Sequence, residues 1–282
     1  MNKERWMTMA GILLLLAACG GEEDVKVGTL IFTANGEDFV RDGFVSEDGW
    51  QIDFETVQVN VEGPTAFQVV EETQALSTDL RHGGHPHGEI PEGSAHVALL
   101  GEYLLSLKGP ISEVGRIEDA PIGNYNRLNF NVLPTSSESA GFAPEAEGYS
   151  IRLLGQASKD DETIAFELRF TEAMDYVACG PNEDAGVLAE GAEAEAQMTF
   201  HFDHIFGDFS EGPADPSDEE TVNYLAIGFA PFAALAEEGS LSMDQAQLQA
   251  AMDTATYEQL MEAMRTRVQS GEGHCSLAEE EE

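Results

Sequence analysis

Apolar residues alternate with polar residues in many short stretches of the chain, and Gly, Pro, Asn and Asp interrupt these stretches frequently. A period of two is expected for β-strands with one buried face. The alternation predicts about eight strands, at residues 27–34, 50–54, 57–61, 96–107, 125–132, 149–156, 163–170 and 193–206. Because little helix is predicted between them, we expect a mainly β fold, an antiparallel β-sandwich, over residues 26–208.

The pattern changes in the last quarter of the chain, where an acidic stretch without periodicity precedes an Ala-rich apolar segment. Ser242 and Gln245 fit a capping box that would begin a helix over residues 243–252. Large residues at helical spacing predict a second helix over residues 256–269. We expect residues 209–282 to form an acidic loop and a short α-helical C-terminal segment packed on the sandwich.

The N-terminus carries the features of a targeting signal. Lys3 and Arg5 precede an apolar run from Ala10 to Ala18, which is too short to remain as a membrane-spanning helix. The run ends in Leu-Ala-Ala-Cys and so resembles the lipobox of bacterial lipoproteins, in which the cysteine, here Cys19, becomes the lipidated first residue.

This resemblance implies a location in the bacterial cell envelope. Residues 1–18 would be a lipoprotein signal peptide, and residues 19–25 a lipid-anchored tether that holds the protein at a membrane through Cys19. Gly20 follows the cysteine, whereas an Asp there favours retention in the inner membrane in the family pattern. The outer membrane is therefore the expected location.

The charge balance constrains the partners. The chain has 13 Lys and Arg against 53 Asp and Glu, a formal net charge of −40. Such a polyanion is repelled by nucleic acid and by anionic lipid, and it attracts cations. The acidic residues are spread along the whole chain, so general solvation, as in proteins adapted to salt, is an equally open explanation.

Two cysteines remain besides Cys19, namely Cys179 and Cys275. In the oxidising environment that the signal implies, we expect them to form one disulfide. A cysteine-based metal site is the alternative.

Three histidines occur within six residues in the sequence HGGHPHGE. Neutral imidazole is the commonest side-chain ligand of zinc and copper, and the glycines and proline predict a loop. His82, His85 and His87 are therefore candidate ligands of a transition metal. A mobile loop of this kind can equally bind metals weakly and without selectivity.

A second candidate site lies in the sequence FHFDHIFGD. If the strand over 193–206 keeps its period of two, His201 and Asp203 project from one face, about 7 Å apart at the backbone. This spacing suits two ligands of one ion. His204 falls on the apolar side unless the strand bulges. The alternatives are a polar cross-strand contact for His201 and Asp203, and a hydrogen-bonded core histidine for His204.

Residues 118–134, EDAPIGNYNRLNFNVLP, contain a Pro-Ile-Gly turn followed by a strand. The P-x-G-x-Y pattern resembles an edge motif of transthyretin-like and related β-sandwich domains of bacterial surface lipoproteins. These include relatives of the copper-binding periplasmic partner of methanobactin systems. The resemblance implies the fold and transfers no ligand residue.

These observations predict a non-enzymatic envelope lipoprotein that binds zinc or copper for capture or delivery, with a metal transporter or another envelope protein as partner. The sequence contains none of the common catalytic motifs. A surface adhesion or interaction module, in which the histidines have no metal role, is the alternative.

Overall fold

The computed structural model describes residues 25–69, 90–180, 186–212, 223–266, 268–270 and 273–278. The fold is mainly β, with 48% strand and 18% helix, which confirms the predicted class. None of the helices in these ranges is long and apolar enough to cross a membrane. The signal segment, Cys19 and the loop histidines His82, His85 and His87 lie outside the described residues.

The described strands and helices follow one another along the chain in a strand-rich order. The strands are β1 (Val27–Asn35), β2 (Phe44–Val45), β3 (Gln51–Gln68), β4 (Ala95–Ala98), β5 (Glu102–Ser106), β6 (Ser112–Pro121), β7 (Gly123–Asn124), β8 (Arg127–Val132), β9 (Ile151–Lys159), β10 (Glu162–Phe170), β11 (Met174–Cys179), β12 (Val187–Leu188), β13 (Glu193–Phe200), β14 (Ser240–Asp244), β15 (Val268–Ser270), β16 (Gly273–His274) and β17 (Ser276–Leu277). The helices are α1 (Glu37–Asp42), α2 (Asp203–Phe206), α3 (Ala230–Ala233), α4 (Gln245–Ala251) and α5 (Thr254–Thr266).

The smaller of the two main sheets has the strand order β16-β15-β13-β1-β6. Strands β1 and β13 run parallel, with a register from Thr29 opposite Glu193 to Asn35 opposite Thr199. The expectation of a purely antiparallel arrangement is therefore wrong for this pair. The carboxyl ends of both strands lie at the same edge of the sheet, and this edge carries the candidate site.

The larger sheet is built around β3, which pairs with β2, β4, β5, β8 and β9. The sequence predicts two separate strands at 50–54 and 57–61, whereas β3 continues through both. Its register with β9 shifts between Phe54 and Thr56, and an extra residue of this kind breaks the alternation without ending the strand. A second parallel pair, β10 with β14, lies at the end of this sheet, so both sheets are mixed.

Side chains of both sheets share one hydrophobic core. Phe130 of β8 and Phe200 of β13 meet across the two sheets with ring centroids 6.1 Å apart. A cluster of phenylalanines continues from there toward α2 and α3, and Phe206 contacts Phe54 and Phe232 within it. The core therefore reaches the edge at which α2 begins.

The helices of the C-terminal segment begin and end close to the predicted positions. The capping box is formed by Asp244 and Gln247, two residues after the predicted pair, because Ser242 lies in β14. Helix α5 is anchored by Arg265, whose guanidinium donates to Glu172. The sulfur atoms of Cys179 and Cys275 lie 2.08 Å apart, at disulfide distance.

Candidate functional site

The candidate site lies where the two parallel strands β1 and β13 end. After β1 the chain turns into α1, which begins at Glu37, and after β13 it turns into α2, which begins at Asp203. Because neighbouring parallel strands present their carboxyl ends at one edge, these two helix starts lie together. His201 and His204 belong to the same turn as Asp203.

The predicted strand over 193–206 ends six residues early, at Phe200. Phe202 has helical backbone angles (φ −74°, ψ −15°), so His201 and Asp203 do not project from one strand face as predicted. The turn nevertheless brings their side chains together, with 4.0 Å between Nδ1 of His201 and Oδ1 of Asp203. The predicted pair is therefore close in space for a different geometrical reason.

His204, which the strand pattern left on the apolar side, joins the same cluster. Its Nε2 lies 3.9 Å from Oδ2 of Asp203, and its ring meets the ring of His201 edge-on, with centroids 5.3 Å apart. One donor atom from each of the three residues lies within 4.8 Å of the others, a grouping that could hold a metal ion.

Two features hold α2 in this position. Phe206 is fully buried in the phenylalanine cluster, and its carbonyl accepts a hydrogen bond from the amide of Glu47. Gly207 ends the helix with a φ of 72°, a conformation that glycine adopts readily. A Cβ atom there would lie 2.6 Å from Oδ1 of Asn223 and 2.8 Å from Cβ of Glu47.

Asp203 is the most buried member of the cluster, with 2% of its surface exposed. Its Oδ2 atom has no hydrogen-bond partner within the part of the chain that is described. The pKa of Asp203 is raised from 3.8 to about 7: burial is the largest cause, the carboxylates of Glu37 and Asp208 add to it, and hydrogen bonds from the backbone amides of Asp203 and His204 oppose it. The carboxylate thus lies where a positive charge would stabilise it.

Glu37 is a site residue that sequence reasoning missed. Its Oε2 lies 3.3 Å from Nδ1 of His201. Its φ of 59° is unusual for a residue with a side chain, and its amide donates to Oδ1 of Asn35. In the sequence, Glu37 follows the predicted strand 27–34 by three residues, but only the parallel pairing of β1 and β13 places it beside His201.

One side of the site is apolar. Phe200, His201, Phe202 and Ile205 line a small pocket together with Ile151 and two residues of α5, Ala263 and Met264. These neighbours keep the surroundings of His201 poor in water, which strengthens electrostatic interactions there.

Neither His96 nor the cysteine pair belongs to this cluster. His96 lies in β4, is exposed, and has its ring beside Phe67. Cys179 and Cys275 are paired with each other. His82, His85 and His87 lie outside the described residues, so their role as metal ligands stays a prediction.

The fold and the site define a mainly β protein with a buried cluster of two histidines and an aspartate at the end of a parallel strand pair. No protein-family model, no curated protein and no solved structure matches the chain.

Proposed function

We propose that this protein is a non-enzymatic envelope lipoprotein that binds one divalent transition-metal ion, zinc or copper, for capture or delivery. His201, Asp203 and His204 are the ligands. Imidazole nitrogen and carboxylate oxygen are the usual protein ligands of zinc.

The burial of Asp203 inside a pair of histidines is the observation that carries the proposal. A buried carboxylate without a hydrogen-bond partner on one oxygen is costly, and Asp203 has such an oxygen, Oδ2. A divalent cation among the three donors would remove that cost, because it supplies the missing charge to the carboxylate.

Two properties of the sequence support the proposal, one for the envelope setting and one for the binding of cations. The lipobox that ends at Cys19 implies a membrane anchor, and the net charge of −40 favours the accumulation of cations near the surface. A metal transporter or another envelope protein is the proposed partner. The loop histidines His82, His85 and His87 are proposed as auxiliary ligands that raise the local metal concentration.

Equilibrium dialysis against zinc and copper, followed by metal analysis, tests the proposal. Excess magnesium in the buffer occupies the exposed carboxylates, so that only selective sites are counted. We expect one tightly held ion per chain, which is lost in Asp203→Asn and in His204→Gln. The control is His96→Gln, which changes an exposed histidine away from the cluster and should keep the ion.

A triple variant, His82→Ala, His85→Ala and His87→Ala, separates the loop from the cluster. It should retain the tight ion and lose only weaker binding. If the wild type holds no ion under these conditions, the proposal is refuted, and binding of a glycan or protein partner by the metal-free chain would support an adhesion module instead.

A further inference from the structure

Three ligands leave one position open on a metal ion that prefers four-coordinate geometry. Zinc sites with three protein ligands and a water are typical of catalysis, whereas sites with four protein ligands hold the metal without chemistry. Which kind of site this is depends on whether a further ligand lies beside His201, Asp203 and His204. In the structure, the carboxylate of Glu37 borders this group at His201, with 3.3 Å between its Oε2 and Nδ1 of His201.

The contact between Glu37 and His201 has the length expected between two ligands of one zinc ion, although Glu37 lies outside the group of donors within 4.8 Å of one another and its side chain has to rotate inward to complete the set. With zinc–ligand bonds of 2.0–2.1 Å, neighbouring ligand atoms are about 3.4 Å apart. The contact between Glu37 and His201 has nearly this length. The other two contacts, 4.0 Å and 3.9 Å, need to shorten by roughly half an ångström each, which small side-chain rotations can supply.

The backbone directs Glu37 toward the site. Its left-handed conformation, with φ 59°, costs of order 1–3 kcal/mol and persists only where the surroundings impose it. Here Asn35 imposes it, because Oδ1 accepts from both the amide of Glu37 and the guanidinium of Arg41. The next residue, Asp38, has a side chain that is 84% exposed and pairs with Arg41 instead.

We propose that Glu37 is the fourth ligand, so that the metal is enclosed by two histidines and two carboxylates from the ends of two parallel strands. This inference rests on the proposed function and deepens it. A closed set of four protein ligands suits capture and delivery rather than catalysis. Nitrogen and oxygen donors without a thiolate favour zinc and other divalent ions over Cu(I).

Glu37 is also the most exposed of the four proposed ligands. Its side chain is 34% exposed, whereas that of Asp203 is 2% exposed and that of His201 is 11% exposed. Glu37 is therefore the ligand that an ion from solvent meets most readily. Bound metal would join the start of α1 to the start of α2.

Cobalt provides the test, because four-coordinate Co²⁺ absorbs visible light much more strongly than five- or six-coordinate Co²⁺. The purified full chain is titrated with Co²⁺, and the affinity for zinc is then measured by competition. The variants are Glu37→Gln, which keeps the shape of the side chain, and Asp38→Asn as a matched control that also removes one carboxylate from α1. Circular dichroism checks that each variant folds.

We expect the wild type and Asp38→Asn to give the strong four-coordinate spectrum at one Co²⁺ per chain. Glu37→Gln should bind zinc at least about tenfold more weakly. Because water then fills the fourth position, its Co²⁺ spectrum should shift when azide is added, whereas the closed wild-type site should not respond. If Glu37→Gln keeps the wild-type affinity, or if the wild type responds to azide as the variant does, Glu37 is not a ligand and this inference fails while the proposed function stands. If the wild type shows no saturable binding of Co²⁺ or zinc, the proposed function itself fails.

Discussion

At the scale of single residues, Asp203 has the least favourable environment of the described cluster. It is 2% exposed and has a pKa raised to about 7 by burial and by the nearby carboxylates of Glu37 and Asp208. Because the folded chain holds a proton on Asp203 more tightly than the unfolded chain does, the metal-free fold loses stability as the pH rises from about 4 to about 7.

Asp203→Asn should therefore stabilise the metal-free protein at pH 8. The difference in unfolding free energy between variant and wild type should be near zero below pH 4 and reach at most roughly 4 kcal/mol above pH 7, at 1.36 kcal/mol per pH unit. Urea denaturation in the presence of a chelator measures it. The same variant should gain nothing from added zinc, whereas the wild type should be stabilised. A variant that is less stable than the wild type at pH 8 would show that the carboxylate has a structural partner.

The sequence identified His201, Asp203 and His204 as a group because their residue types are metal ligands and they lie within four positions. Their geometry was not predictable from the alternation. A strand face would separate His201 from His204, and it is the turn after Phe200 that brings both rings to Asp203. Glu37 could not be found at all, since 164 positions separate it from His201 and no local pattern connects them.

At the scale of elements, the position of the site depends on how one strand ends. Helix α2 has only four residues, Asp203–Phe206, and its stability must come from Phe206 in the core and from the sharp turn at Gly207 rather than from helix propensity. Changes to that turn should therefore affect the site more than changes to other turns.

Gly207→Ala tests this dependence. Gly148→Ala is a matched control, because Gly148 also has a positive φ of 80° but open space around its missing Cβ. The control should lose about 1–3 kcal/mol of unfolding free energy to backbone strain. Gly207→Ala should lose about 1–3 kcal/mol more, because its Cβ collides with neighbouring atoms, and it should bind zinc more weakly. Equal losses in the two variants, with unchanged zinc affinity, would contradict this account of α2.

The positions of the strands were predictable from local alternation, but the strands with which they pair were not. The pattern of β1 is the same whether it pairs parallel or antiparallel, and the choice depends on the path of the chain between β1 and β13. The helices were located well because capping and periodicity are local. The two-residue error at α4 arose because Ser242 and Asp244 are both acceptable cap residues, and pairing of β14 with β10 decided between them.

At the scale of the whole molecule, the large negative charge opposes compactness. With 53 acidic residues against 13 basic ones, self-repulsion destabilises the folded state, and salt screens it within about 10 Å at 0.1 M. The metal-free protein should therefore gain unfolding free energy as sodium chloride is added. Thermal unfolding across a salt series measures this gain. An unfolding free energy that does not depend on salt would show that local interactions already offset the repulsion among the acidic side chains.

The link between Cys179 and Cys275 spans 96 positions and joins the C-terminus to β11. Reduction or replacement of both cysteines by serine should cost about 2–5 kcal/mol of unfolding free energy. Thiol titration of the denatured Cys19→Ser chain, prepared without reductant, should find no reactive thiol. Two reactive thiols would mean that the bridge does not form.

The amino-acid sequence by itself determined the mainly β class, the approximate limits of most strands and helices, and the residue types of a candidate metal site, because periodicity, caps and ligand chemistry are local properties. The tertiary structure alone decided which strands run parallel, where β13 ends and which carboxylate faces His201. These features depend on contacts between residues far apart in the chain, and the core around Phe206, rather than any nearby residue pattern, holds Asp203 and His204 beside the start of α1.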